Sequence, residues 1–540
     1  MSTLYVTAIA AGALFHNIVR NREFDRYPFS ILFVVIASDV VLSILLLLQH
    51  DNHANVLTFW QAQRLAFSLV ATTILSLWTN ILVYRAFFHP LRNFPGPFGA
   101  RLSKFWSLGK VVESKVRWYQ VAGKLKEEYG DYVRTGPREL ILFDPAAISV
   151  ILGASFKLHK GPFYGSTSPE SLHTTRNSDF HRKRRKIWDL AFKQSLTDYG
   201  PRVEEFTTHF LARLSKGAED PLVINELCVQ YSYDVMSALA FGIHTEFLNG
   251  KETAAAKKVL DNIQSGMSAL AAVVHIPWMF TVIDVISRGT KRCSISRSSR
   301  SNMDGLTIQQ MKNPKPDIVG HLIQHTENTP AGRALLNGDS RVIIGAGSDT
   351  TASALTTIFI HLAHYPEYQA RLFEELRSVF EDGTFANGKS SPLLDGIIQE
   401  VLRLYAPVTF NSQRVTPKGG LTIGTVYIPG DTIVSLATWQ LHRDPRNFKD
   451  PNKFIPERWT TSPDLIINKA AYLPFSMGVY NCIGKSLAMM ELRSVIGRSI
   501  AEYEVSFPKN VKFDEEEFFG NVKDHFTSGI PRCELVFKRR

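Results

Sequence analysis

The chain has 540 residues, 45% of them hydrophobic, a net charge of +11 and a pI near 9.3. That much apolar material builds a core larger than one average domain needs, and the basic balance suits an acidic lipid surface or an acidic protein partner. Zinc-finger spacing and RNA-binding aromatic signatures are missing, which argues against nucleic acid, and four scattered cysteines (Cys228, Cys293, Cys482, Cys533) without a CxxC pair argue against a disulfide framework or structural zinc.

The first ninety or so residues differ from the rest. Residues 29–48 are predominantly apolar, with Asp39 the ionisable residue among them, and residues 65–84 carry no charge. Each is long enough to cross a bilayer as a helix. A weaker stretch, residues 4–19, contains His16 and Asn17. It reads as a further span or a cleaved signal peptide, although the basic segment of a signal peptide is missing. Arg20, Arg22 and Arg26 follow it, only Arg64 lies between the next two stretches, and Arg85, Arg92, Arg101 and Lys104 come after the last. The positive-inside rule puts the first loop and everything after Tyr84 in the cytosol. Three spans then leave the N-terminus lumenal, whereas two would leave it cytosolic. The prolines of His89-Pro90-Leu91 and Phe94-Pro95-Gly96-Pro97 stop the helix and predict a stiff linker. The expected division is a membrane anchor of two or three helices over residues 1–88 and a soluble domain over 89–540.

Beyond the linker, helical periodicity dominates, as in residues 367–380 and 394–405. The clearest extended signal is residues 421–434, where β-branched residues flank Gly424 and Pro429-Gly430. Residues 294–301, rich in serine and arginine, read as a loop. The fold class is mainly α with a small β-sheet region.

Chemistry concentrates in residues 473–493, LPFSMGVYNCIGKSLAMMELR. Cys482 lies between Gly478 and Gly484, just before a helical pattern. Glycine lets backbone approach a flat ligand, and free N–H groups at the helix start favour a thiolate. A lone cysteine is ordinarily structural; these flanks suit an axial haem ligand instead. Upstream, Ala346-Gly347-Ser348-Asp349-Thr350-Thr351 places an acid beside an alcohol in an apolar helical stretch. Thr350 can bond back one turn, and with Gly347 this admits a local bend. Glu400 and Arg403 share one helix face, and Pro456-Glu457-Arg458-Trp459 follows downstream.

The run Phe475-x-x-Gly478-x-Tyr480-x-Cys482-x-Gly484 resembles the haem-binding loop of the cytochrome P-450 superfamily. It departs at Tyr480, where the family usually carries an arginine that pairs with a haem propionate. The resemblance implies a cytochrome P-450 fold behind a transmembrane anchor, haem b as cofactor and Cys482 as the axial iron ligand. It places Asp349 and Thr350 in the oxygen-activating acid and alcohol positions. Glu400, Arg403 and Arg458 take the places of a buried network that locks the loop under the haem. Propionate contacts fall to His181, Arg185 and Arg414, with Phe475, Gly478 and Gly484 shaping the loop. For the cluster 182–186 a solvated face is the competing reading. The three-span leader is similar to that of fungal biosynthetic members.

The resemblance further implies a monooxygenase of the endoplasmic reticulum membrane, facing the cytosol. Electrons would come from NADPH through a separate flavoprotein reductase, whose acidic face suits Arg182, Lys183 and Lys485. The pocket candidates are residues 163–171, 269–280, 407–410 and 526–530, with Ile344. They are mostly apolar and predict a hydrophobic small-molecule substrate. A haem-thiolate isomerase or dehydratase that uses no dioxygen, and a non-enzymatic haem carrier or sensor, stay open beside this reading.

Overall fold

Three N-terminal helices, α1 (Ser2–Val19), α2 (Pro28–Gln49) and α3 (Phe59–Val83), are long and apolar enough to cross a membrane, α3 running on through a π-helical turn to Phe88. This computed structural model describes residues 2–540 except 21, 25–26, 50–56, 154–157, 167–168, 194–195, 218, 255, 259, 262–270, 272–273, 290–316, 380–390 and 411–412. Arg26, Cys293 and the loop 294–301 therefore lie outside the described residues.

The helix α3 starts earlier than its uncharged run because Thr58 caps it in a reciprocal capping box with Gln61. Residues 4–19 form a full helix against α3. Gly12 permits this approach, since a Cβ there would lie 2.5 Å from the Thr73 carbonyl oxygen, and Ser76 donates to the Ile9 carbonyl at 2.7 Å. Asp39, the ionisable residue of α2, accepts from Gln63 of α3 at 2.5 Å through one oxygen of its carboxyl, inside an apolar bundle.

The short loop between α1 and α2 is fastened to the chain beyond the proline linker. Glu23 pairs with Arg138 at 2.6 Å and Arg176 at 2.7 Å. The proline linker is held as well. His89 caps a 3₁₀ turn, Pro90–Asn93, and the buried Arg134 donates to the carbonyls of Arg85 and Pro137 at 3.2 and 2.6 Å.

The domain is mostly helical with small sheets. Its core forms where the central helix, Pro330–His364, packs on Ile224–Phe241. Thr329 caps the central helix and Pro330 takes its first turn, where a missing N–H costs nothing. The helices Pro366–Val379 and Pro392–Leu404 match the periodic stretches within a few residues.

A five-stranded sheet holds β1 (Tyr132–Gly136), β2 (Glu139–Leu142), β3 (His159–Lys160), β4 (Arg414–Val415) and β5 (Ile433–Leu436) in the order β1-β2-β5-β4-β3. Only β2 and β5 run parallel. The extended stretch 421–434 divides. Leu421–Ile423 and Val426–Ile428 form a hairpin around Gly424, at φ +56°, and β5 begins after a second turn through Asp431, also at φ +56°. β3 and β4 pair so that Lys160 stands opposite Arg414.

Candidate active site

The cysteine loop is a tight device. Its approach turns through Ser476 at φ +54° and Gly478 at φ +71°, and a Cβ on Gly478 would collide with the Leu152 carbonyl oxygen. The Cys482 N–H donates to the Phe475 carbonyl at 2.9 Å, which closes the loop. The helix Lys485–Glu502 starts immediately after Gly484, so the N–H groups of Gly484 and Lys485 reach the sulfur. Cys482 keeps accessible surface. Burial of its surroundings pushes the thiol up, against those two N–H groups and the charges of Arg185 and Lys485. Cys228 and Cys533, the other described cysteines, are buried.

Beneath this loop Glu400, Arg403 and Arg458 meet with no exposed side-chain surface. Arg403 forks onto Glu400 at 2.9 and 2.8 Å, Arg458 reaches it at 3.2 Å, and Trp459 donates to it at 2.9 Å. The other guanidinium bonds go to the carbonyls of His442, Pro451 and Lys453 from Arg403 and of Lys449, Leu465 and Asp450 from Arg458, at 2.6–3.2 Å. The charges are thus paired and hydrogen-bonded, the condition for burying them. The arginines and the Ile455 N–H hold the Glu400 carboxyl below its ordinary range, against the desolvation that alone would raise it.

The basic helix Ser178–Lys193 splits into two faces. Arg184 is buried and donates to Asp339 of the central helix at 2.8 Å, and Trp188 donates to the same carboxylate at 3.2 Å. Arg182, Lys183 and Lys186 are exposed, as is Lys485. Arg185 is directed at the cysteine loop: its two terminal nitrogens donate to the carbonyl and side-chain oxygens of Asn481, both at 2.9 Å. His181 meets the Tyr480 ring edge-on, with centroids 4.6 Å apart. Burial, then the charges of Lys160, Arg185 and Arg414, lower its pKa to about 3, so it is neutral. Arg414 lies over the Tyr480 ring at 4.7 Å, and Lys160 approaches it at 4.9 Å. Nothing in the sequence marks Lys160 or Asn481. One lies on a two-residue strand and the other occupies an unremarkable position beside the cysteine.

On the central helix Thr350 donates to the Ala346 carbonyl at 2.7 Å, and the helix stays α-helical through Gly347. Gly347 leaves room for the Met236 side chain, since a Cβ there would lie 2.7 Å from its sulfur and the thioether would have to shift. Ala346 is exposed, while Ile344 is buried in the helical core. Asp349 accepts a hydrogen bond from Thr527, and burial raises its pKa against that bond. Thr527 belongs to the pocket stretch 526–530, so the chain end is brought to the central helix.

A cavity of about 70 Å³ is lined by Phe163, Ala271, His275, Phe410 and Phe526, among others. These come from all four of the stretches named for the pocket; residues 167–168, 269–270 and 272–273 of those stretches lie outside the described residues. Its wall also carries the Asp524 carboxyl, which accepts from Thr409 at 2.7 Å. Burial pushes Asp524 up to about 6, against Thr409 and the Phe526 N–H.

The family profile described as Cytochrome P-450 matches residues 95–526. A cytochrome P-450 monooxygenase of Fusarium pseudograminearum is 34% identical, with 99% of this chain and 98% of that protein aligned. One of Aspergillus versicolor is 35% identical over 100% of this chain and 98% of its own length. The tryprostatin B 6-hydroxylase of Aspergillus fumigatus is 32% identical over 87% of this chain and 85% of its own length. The full-length similarity and the family profile agree with the cysteine loop and the buried ion network: the chain belongs to the cytochrome P-450 family, oxidoreductases that incorporate oxygen from dioxygen.

Proposed function

We propose that this protein is a haem-thiolate monooxygenase that oxidises a hydrophobic small molecule in fungal secondary metabolism, with Cys482 as the axial ligand of haem b. The observation that carries the reading is the Cys482 sulfur, accessible and faced by the N–H groups of Gly484 and Lys485 at a helix start. The donor set fits a haem: one thiolate, and for its carboxylates the cations Lys160 and Arg414 against Tyr480, with Arg185 acting on the adjacent His181. When bound, the haem supplies the dioxygen chemistry.

The chain's own residues do the rest. The N–H groups stabilise the thiolate and temper its donation. Phe475 accepts the Cys482 N–H, and the Glu400 network keeps the supporting segment rigid. Thr350 stands beside Asp349 as the hydroxyl that orders water, while Asp349, its pKa raised by burial, holds and passes a proton with Thr527 as its donor. That acid argues against a reaction without dioxygen, which has less need of a proton relay.

Residues 1–88 act as the anchor and 89–540 as the catalytic domain. The membrane is that of the endoplasmic reticulum, with the domain in the cytosol. The pairing of Glu23 with Arg138 and Arg176 supports this, because it puts the first loop on the domain's side. The exposed Arg182, Lys183 and Lys485 form the face for an NADPH-dependent flavoprotein reductase. The name tryprostatin B 6-hydroxylase, borne by a relative, supports a fungal natural-product substrate.

The test is the spectrum of the reduced protein with carbon monoxide. The native chain gives the thiolate-type band and Cys482→Ala does not. A variant that keeps the band places the ligand elsewhere. Turnover that requires dioxygen, NADPH and reductase separates the monooxygenase from the isomerase and carrier readings.

A further inference from the structure

Two carboxylates, Glu139 and Asp524, stand on the wall of the cavity lined by Phe163, Phe410 and Phe526. Glu139 already has its counter-charge, the Lys104 ammonium at 2.8 Å. Asp524 has none among the described residues. Its carboxyl accepts from the Thr409 hydroxyl at 2.7 Å and from the Phe526 N–H, both neutral donors. Arg117 and Arg443 share with it the surroundings of Tyr119, but Arg117 donates to Asn521 at 2.6 Å and Arg443 lies over the Trp439 ring at 3.7 Å. His275, on the same wall, is held neutral by burial and meets Trp118 edge-on with centroids 4.5 Å apart.

A carboxylate withdrawn from water is costly until a cation meets it. Burial pushes Asp524 up to about 6, so at neutral pH it is mostly ionised and still lacks a counter-charge. Most of the remaining wall is aromatic: Trp118, Phe163, Tyr164, Phe410 and Phe526. Ring faces attract cations and add apolar area. Phe526 keeps its place in a turn at φ +79°, a conformation that bulky residues rarely adopt. Gln413, on the same wall, has a buried side-chain oxygen that no described donor meets. Acceptors without donors, set among aromatic rings, are the complement of an ammonium on an apolar body. An anionic or purely hydrocarbon occupant would leave Asp524 unpaired.

The cavity also adjoins the proposed proton relay. Asp524 pairs with Ser528 in a short hairpin, and Thr527 of that hairpin's turn bonds to Asp349 beside Thr350. We propose that Asp524 makes the site selective for apolar molecules that carry a basic nitrogen, by pairing its carboxylate with the protonated amine. The proposal rests on the monooxygenase reading above and narrows its substrate class.

The experiment uses the haem-loaded full chain in detergent and two radiolabelled probes of nearly one shape. One is dimethyl(4-phenylbutyl)amine, protonated at neutral pH. The other is 2-methyl-6-phenylhexan-2-ol, which keeps one hydrogen-bond donor and lacks the charge. Equilibrium dialysis gives the ratio of amine to alcohol affinity for the native chain, Asp524→Asn, Asp524→Glu and Glu139→Gln. Asparagine keeps an acceptor for Thr409 and loses only the charge. The ratio falls roughly tenfold to a hundredfold in Asp524→Asn, the range for a bond to a charged group, while alcohol affinity stays near native. Asp524→Glu and Glu139→Gln keep most of the native ratio. An equal ratio in the native chain and Asp524→Asn overturns the proposal. Loss of the ratio in Asp524→Glu as well overturns it, since shape and not charge would then be read. A fall in Glu139→Gln as large as in Asp524→Asn also overturns it, because the cation would then not be assigned to Asp524. The carbon monoxide band of the same samples tests the haem-thiolate reading separately: its absence overturns that reading and leaves the ratios to decide this one.

Discussion

The ring of His442 joins Arg403 to Leu473. Its Nδ1 donates to the Arg403 carbonyl at 2.7 Å, and its Nε2 accepts the Leu473 N–H at 2.9 Å. A carbonyl can only accept and an amide N–H can only donate, so the ring is neutral with its proton on Nδ1. The buried ion network is thereby wired to the segment that runs on to Phe475 and Cys482. Burial, then the Arg403 charge, lowers the His442 pKa to about 3 from an ordinary 6.5.

This fixes a pH dependence. A histidine held neutral in the fold contributes stability above its ordinary pKa and loses it as pH falls from 6.5 toward 3. The native chain therefore loses urea resistance as pH falls below about 6.5, and His442→Gln shows less of this slope. At neutral pH the variant is less stable by about 2–4 kcal/mol, for two lost hydrogen bonds and imperfect packing. A pH slope unchanged in the variant rejects His442 as its source.

Glu400→Gln leaves Arg403 and Arg458 buried without their counter-charge. Such losses cost about 3–5 kcal/mol. The control is Arg371→Ala, which breaks a pair whose arginine side chain is 54% exposed. Exposed pairs contribute about 0–1 kcal/mol. Denaturation midpoints should separate the two variants clearly, and equal losses contradict the burial argument.

Thr350→Ala removes the hydroxyl next to Asp349 in the chain, which bonds to the Ala346 carbonyl, and Thr527→Val removes the hydrogen-bond donor to the Asp349 carboxyl. Each should lower product per NADPH consumed, with peroxide in its place, and general acid–base contributions set the scale at about a hundredfold or more. The carbon monoxide band is unchanged in both. A normal ratio in Thr527→Val would show that the relay does not need the Thr527 hydroxyl.

Glu23→Lys turns two attractions into repulsions at Arg138 and Arg176. In sealed microsomes, trypsin added from the cytosolic side should cut after Arg176 sooner in the variant. Each native pair contributes about 1 kcal/mol or less, so activity in detergent changes little. Equal cleavage in the two chains would mean that the loop does not brace the domain.

Much was legible in the sequence because it depends on local pattern. Span length and hydropathy mark two helices and a weaker third as long and apolar enough to cross a membrane, and the prolines after Tyr84 mark where the last one stops, although its start at the Thr58 cap does not show in the apolar run. Glycines around a lone cysteine before a helical run announce the loop, since its positive φ and its close approach to Leu152 demand residue types and spacing that survive in one dimension. Glu400 and Arg403 share a helix face for the same reason.

Only the tertiary structure decided what lies between distant segments. Pairing of two-residue strands sets Lys160 beside Arg414, although 160 and 414 share no motif. Which arginine of the run 182–185 is buried depends on where Asp339 of another helix falls. Thr527 meets Asp349 because this late segment folds back, and Asp524 becomes a half-buried acid in the wall of a cavity whose named segments looked mostly apolar. Periodicity reports which face of an element is apolar. It carries no record of which other face, hundreds of residues away, will supply the hydrogen bond or the charge.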